Sequence, residues 1–352
     1  LWTYNCIFTG PKIHNNNKGM LKNSKPIVGI SVGDPNGIGI EVILKSLKDA
    51  SVLEKCSVVV FSNFKLLKNQ MSYFNVDLPL KEVSHFNNYD ERCINVHPIN
   101  KKEIKLSYGK LTTEGGIYSK DSLFAAVKAL KNKKIDALVT GPINKKNIQS
   151  DDFRFKGHTD FLDNEFQGES LMFMVSNEIK VALLTEHIPL SRVKDHLNEN
   201  LIEFRIKEVF NSLLNDFGIK RPKVAVLSID PHVGDQGVIG NDDQNLLKPV
   251  LEKLKAESYN VKGPFASDSF FGSKLYKNFD AIVATYHDQG LIPFKTLTFG
   301  KGVNFTAGLD IVRTSPDHGT AYDISGKNIA NYDSFKSAIF TSIEIVKNRG
   351  KN

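Results

Sequence analysis

Short apolar runs alternate with amphipathic stretches along most of this chain. Pro26–Gly33 reads as a strand, followed by a Gly-rich turn and a helix over Glu41–Asp49, and Ser57–Phe61 opens a second unit of the same kind. A helix over Asp121–Leu130 delivers a strand at Ala137–Thr140, and one over Asn200–Phe210 delivers a strand that closes at His232. Strands alternating with helices predict an α/β fold with a mostly parallel sheet. No internal repeat, low-complexity tract or Pro/Gly/Ser-rich linker interrupts the pattern. The two lobes that 352 residues suggest are therefore expected to be interleaved over residues 25–348.

Three of the apolar runs end on histidine: Val181–His187, Val224–His232 and Ala281–His287. Strands of a parallel sheet end at a common edge, so imidazoles from distant parts of the chain can converge there. Three neutral imidazoles around one point hold a divalent metal and leave a coordination position open. One such histidine would more readily bond a neighbouring loop; it is the repetition that carries the metal reading. His14, His85, His97 and His196 lack a comparable setting and are left out.

Composition narrows the class. Hydrophobic residues make up 41% of the chain, ample for a buried core, and no apolar run reaches membrane-spanning length. A net charge of +7 is spread over Lys and Arg that alternate with acids, as in Glu252–Glu257, and no nucleic-acid motif accompanies it, so neither nucleic acid nor membrane is an expected partner. Cys6, Cys56 and Cys93 are odd in number and without metal-ligand spacing, which points to a reducing compartment, the cytoplasm. Residues 1–24 read as a disordered extension, with residues 1–19 as upstream translation or a cloning remnant and Met20 as the natural start.

Further polar clusters sit between apolar runs. Gly33–Gly39 (GDPNGIG) lies between a strand and a helix, where backbone N–H groups can meet an anion, yet its spacing is neither the Rossmann nor the P-loop pattern; a structural turn is an equal alternative. His158 and Thr159 in Phe155–Asp160 combine a ring donor with a hydroxyl, although Thr159 can equally be the N-cap of a following helix. Lys295, Asn304 and Arg313 follow His287 on successive segments, a set suited to phosphate or carboxylate.

Taken together, Gly33–Gly39, Thr140–Ile143, Gly157–Leu162, Thr185–Leu190, Asp230–Gly234, Tyr286–Gly290, Gly302–Asn304 and Arg313–Thr320 resemble, in order, the blocks of the 4-hydroxythreonine-4-phosphate dehydrogenase family of pyridoxal phosphate biosynthesis, over residues 25 to 348. The resemblance implies a two-lobed α/β/α fold similar to isocitrate and isopropylmalate dehydrogenases, which bind NAD or NADP without a Rossmann fingerprint, with the active site in the cleft between the lobes. It implies that His187, His232 and His287 hold a divalent metal (zinc, magnesium or cobalt) and that His158, Thr159, Lys295, Asn304 and Arg313 contact a phosphorylated amino acid. His318, Gly319 and Asp323 fall in a loop similar to the adenosine loop of those dehydrogenases, Asp323 being the candidate for a ribose hydroxyl. The implied reaction oxidises a secondary alcohol to a β-keto acid that loses carbon dioxide. Lys295 is assigned to the proton relay, with Asp268 or Asp288 orienting it or a ligating imidazole.

The resemblance further implies a homodimer with a shared active site, His287 being the candidate ligand from the second chain. The family often has Pro at Ile40, His at Asn144, Pro at Lys156 and Asn at Asp230; Asp230, two residues from a presumed ligand, is the departure placed to tune the metal. Relatives acting on sugar-acid phosphates such as threonate 4-phosphate or on aromatic cis-diols, a phosphate acyltransferase of similar fold, and a catalytically silent binding protein are the competing readings.

Overall fold

A computed structural model describes residues 25–99 and 104–351, so the expected N-terminal extension lies outside the described residues. One twelve-stranded sheet organises the molecule. Its strands are β1 (Ile27–Ser31), β2 (Ser57–Phe61), β3 (Leu80–Glu82), β4 (Ile94–His97), β5 (Ala137–Thr140), β6 (Gly168–Val175), β7 (Lys180–Leu183), β8 (Val224–Leu227), β9 (Val261–Phe265), β10 (Ala281–Ala284), β11 (Val303–Leu309) and β12 (Arg313–Pro316). Their order is β3-β4-β2-β1-β5-β12-β11-β6-β7-β10-β8-β9. Every residue of β2, β5, β8 and β10 is buried, as strands covered by helices on both faces must be, which is why these segments read as unbroken apolar runs.

The expected helices form with shifted bounds. The helix at Glu41–Asp49 spans Gly39–Leu47, and Asp121–Leu130 is the second half of Thr113–Lys131, which begins earlier because Thr112 Oγ1 accepts the Gly115 N–H at 3.0 Å. Asn198 caps Glu199–Asn215 through the Leu201 N–H at 2.9 Å. All three histidine-terminated strands stop earlier than expected, at Leu183, Leu227 and Ala284, leaving the histidines on the segments beyond.

Two groups of parallel strands flank a central antiparallel region. The pairs β12–β11, β11–β6 and β6–β7 are antiparallel, and these three reversals make the β7, β10, β8, β9 group run opposite to the β1, β2, β5, β12 group. The carboxyl ends of β7, β10 and β8 thus share one edge, but not with those of β5 and β12. Register in the middle aligns Arg313 with Thr306 and Met172, and Ser315 with Asn304 and Met174. Side chains alternate across a strand, so these six face one side of the sheet.

The Gly33–Gly39 turn proves structural. Gly33 adopts φ +71°, and a Cβ there would collide with the carbonyl of Pro142. Asp34 is fully buried and accepts from the Asn36 N–H (2.9 Å), Asn147 Nδ2 (2.7 Å) and the Tyr322 hydroxyl (2.8 Å). Asn36, also fully buried, donates through Nδ2 to Thr112 Oγ1 and accepts the Ser107 N–H. One short turn therefore ties together segments that are 71 to 288 residues away in sequence.

Candidate active site

The central strands form the floor of a cleft of about 700 Å³ lined by Met172, Met174, Asn304, Arg313 and Ser315, with walls from the segments after β5 and β7 and from the helices His158–Glu165 and His287–Thr298. Arg313 dominates the floor. It is only 2% exposed, donates from Nε (3.1 Å) and Nη2 (2.6 Å) to Thr140 Oγ1 and from Nη1 (3.0 Å) to Thr306 Oγ1, and forms no ion pair among the described residues. Hydroxyls provide acceptors without charge, and burial draws the guanidinium pKa down to about 9. A buried cation without a counter-charge is costly, so this arrangement is suited to an incoming anion.

His158 stands beside it. It opens its helix with Gly157 as N-cap, and no side chain caps the N–H groups, so Thr159 is not the N-cap and instead lines the cleft. His158 Nε2 is enclosed without a hydrogen-bond partner, and burial, then the charges of Arg313 and Lys145, hold the imidazole well below its ordinary pKa. A neutral ring with an unused nitrogen can serve the same anion as Arg313. Lys145 and Lys156 extend the positive wall; among the departures, Asn144 closes the Lys145 turn by accepting the Lys146 N–H at 2.9 Å.

The histidines separate into a pair and a single residue. Adjacent parallel strands β7 and β10 carry His187 and His287 just past their carboxyl ends, and the ring centroids lie 5.7 Å apart at 44°. His287 Nδ1 meets Asp288 Oδ1 at 2.6 Å, fixing the ring. The expected pairing of His187 with His232, and His287 apart, is therefore corrected: His187 and His287 belong together within one chain. His232 is exposed and does not line the cleft. Among the described residues no three His, Cys, Asp or Glu side chains gather to hold a metal.

His232 begins an unusual segment. His232, Val233, Gly234, Asp235 and Gln236 all have φ between 44° and 77°, one turn of left-handed helix, at a cost of roughly 1–2 kcal/mol for each non-glycine residue. Asp230 holds the loop closed: its Oδ2 accepts the Asp242 N–H at 3.0 Å, while its own N–H donates to Asp243 Oδ2 at 2.8 Å. Asp230 is thus a loop clasp rather than a group facing the cleft.

The remaining expected residues divide. Lys295 lines the cleft, but its Nζ donates to the Asp317 carbonyl at 3.1 Å, so neither Asp268 nor Asp288, both outside the cleft lining, orients it. His318 and Gly319 line the mouth; His318 Nε2 is enclosed without a partner and a Cβ on Gly319 would meet open space. Asp323 is exposed and outside the lining. Sequence reasoning missed Lys145, Asp163, Glu186, His196 and Arg205, all in the cleft. Glu186 precedes His187, and burial pushes its carboxyl pKa up against the lowering effects of the Met172 N–H and Arg205. An acid closing an apolar run was the available signal for it.

Known proteins share this architecture. A 4-hydroxythreonine-4-phosphate dehydrogenase from Bacteroides thetaiotaomicron is 38% identical over 94% of this chain and 91% of its own length. A putative D-threonate 4-phosphate dehydrogenase from Clostridium botulinum is 33% identical over 90% of this chain and 96% of its own. The crystal structure of a 4-hydroxythreonine-4-phosphate dehydrogenase from Klebsiella pneumoniae superposes with a TM-score of 0.79 at 30% identity, covering 92% of this chain and 98% of that one. Residues 54–342 match the family model of the pyridoxal phosphate biosynthetic protein PdxA, and on this match and these identities the chain belongs to the PdxA family, whose dehydrogenases are oxidoreductases.

Proposed function

We propose that this chain oxidises 4-phosphohydroxy-L-threonine with NAD or NADP to a β-keto acid that decarboxylates to 3-amino-2-oxopropyl phosphate, a step toward pyridoxine 5'-phosphate. The buried Arg313, without an ion pair among the described residues, is the observation that carries the phosphate half of this reading. Arg313 and His158 receive the phosphate, Thr159 and Asn304 orient it, and the alcohol then falls toward His187 and His287. In the oxidation the carbinol hydrogen leaves as hydride and the hydroxyl proton is released to a base; in decarboxylation the bond to the carboxyl carbon breaks, and the electron pair left behind takes a proton. Lys295, held by the Asp317 carbonyl, is the donor for that proton.

A nicotinamide nucleotide supplies the hydride acceptor, and the unpartnered His318 Nε2 beside the unobstructed Gly319 fits its approach. Two imidazoles 5.7 Å apart form part of a metal site, which a third nitrogen completes. A divalent ion bound there supplies a Lewis acid that lowers the alcohol pKa. We assign the third ligand to His232 of the partner subunit in a homodimer. Each histidine is followed closely by an exposed apolar side chain, Leu190 (70%), Val238 (84%) and Ile292 (64%), as an interface around a shared site requires. We place the enzyme in the cytoplasm, with no nucleic-acid or membrane partner; among the described residues no helix is long and apolar enough to cross a membrane.

The test is reduction of NAD or NADP, followed by nicotinamide absorbance, with 4-phosphohydroxythreonine as substrate. Turnover that a chelator stops and a divalent metal restores supports the proposal. Turnover untouched by exhaustive chelation removes the metal from it, and acyl transfer to coenzyme A without nicotinamide reduction replaces it.

A further inference from the structure

The cleft holds an acid that the proposed chemistry leaves unused. We propose that Glu186 selects substrates carrying an ammonium group on the carbon next to the alcohol that is oxidised. This rests on the proposed reaction and names what its site discriminates.

Glu186 directly precedes His187 and lines the same cleft, so its carboxylate faces the space the substrate would fill. Its side chain is 19% exposed, and Oε1 accepts the Met172 N–H at 3.0 Å. The cation it pairs with among the described residues is Arg205, whose Nη1 lies 3.9 Å from Oε1, beyond hydrogen-bond length, and donates to the Ser170 carbonyl. A carboxylate accepts about four hydrogen bonds, so most of this one's capacity remains open to the cleft. Its acidic neighbour Asp163 is already occupied by the Ser170 N–H (3.0 Å) and hydroxyl (2.6 Å).

An ammonium group offers three donors and a charge within hydrogen-bond reach, which Arg205 at 3.9 Å does not provide. A hydroxyl at the same carbon, as in a threonate phosphate, brings one donor and no charge, leaving the partly buried carboxylate with Arg205 as its more distant counter-charge. Relatives bearing each substrate name match this chain at 38% and 33% identity, so overall similarity does not make the choice; Glu186 does.

The experiment measures kcat/KM for 4-phosphohydroxythreonine and for threonate 4-phosphate and takes their ratio. Glu186→Gln keeps an oxygen for the Met172 N–H and removes only the charge. The ratio should fall by about tenfold or more in Glu186→Gln, mainly through KM of the amino substrate, while Glu186→Asp retains more of it and Asp163→Asn leaves it unchanged. Retained threonate turnover shows that the Gln variant is folded. Equal losses on both substrates, or a wild type that prefers threonate 4-phosphate, overturn the selection role alone. A wild type that oxidises neither compound overturns it together with the proposed function.

Discussion

Two buried polar constellations in this protein look alike in composition and differ in closure. At the Gly33–Gly39 turn, the fully buried Asp34 finds three donors within the chain, and Asn36 is bonded on both sides. In the cleft, among the described residues, Arg313 has hydroxyl partners but no counter-charge, and His158 Nε2 has no partner. The first is complete and holds loops together; the second is left open, as the proposed binding of a phosphate there would use. Burial alone does not mark a binding site; an uncompensated buried charge lining a cleft is the stronger sign.

The contrast breaks most visibly at the histidines. Ala at His187, His232 or His287 should abolish turnover while leaving the fold intact, because a metal at a sheet edge serves chemistry rather than the core. Unfolding and refolding inactive His187→Ala and His232→Ala proteins together should restore about a quarter of wild-type activity, from the one intact site of each mixed dimer under random pairing. Mixing His187→Ala with His287→Ala should restore none; recovered activity there would show that these two ligands come from different chains.

A smaller but sharper effect is expected at Arg313. Arg313→Met should raise KM for the phosphorylated substrate by about 100-fold or more while urea unfolding shows equal or greater stability, since an unpaired buried charge is lost with it. Asp34→Asn should do the reverse, costing about 1–3 kcal/mol in urea unfolding with little change in KM, because a closed network loses a member. A large KM change at Asp34 with unchanged stability would erase the distinction.

The smallest effect is in pH. Burial and positive neighbours depress the His158 pKa, so on acidification the unfolded chain takes up a proton that the folded one resists. Stability should therefore fall as pH drops below the ordinary histidine value of 6.5 and continue to fall toward the depressed folded value, with a shallower slope in His158→Gln. An identical slope in both proteins would show that His158 bears no part of the acid sensitivity.

Much of this was legible in the chain because parallel strands buried on both faces produce unbroken apolar runs, and the polar residues that end them stand out. His187 and His287 stand out in this way, whereas Lys295, Asn304 and Arg313 stand out as polar residues on the segments that follow His287. Strand order was not legible. The adjacency of β7 and β10, which pairs His187 with His287, joins segments about a hundred residues apart and follows from packing that no local pattern encodes. Nor was the left-handed turn at His232, where β-branched Val233 argues against positive φ. Lys145 and Arg205 look like ordinary surface charges until the walls of the cleft enclose them.

The place of β12 governs how the molecule is made. The last strand in sequence lies in the middle of the sheet, with Arg313 aligned to Leu138 of β5 on one side and Thr306 of β11 on the other, while the helix Asp333–Arg349 packs over it. During synthesis β1, β2, β4 and β5 can pair early, but β5 keeps an unpaired edge until the chain beyond residue 316 has emerged. The floor of the cleft on β12 is therefore assembled last, and a ribosome that stops short of that strand releases a chain with an open sheet and no Arg313.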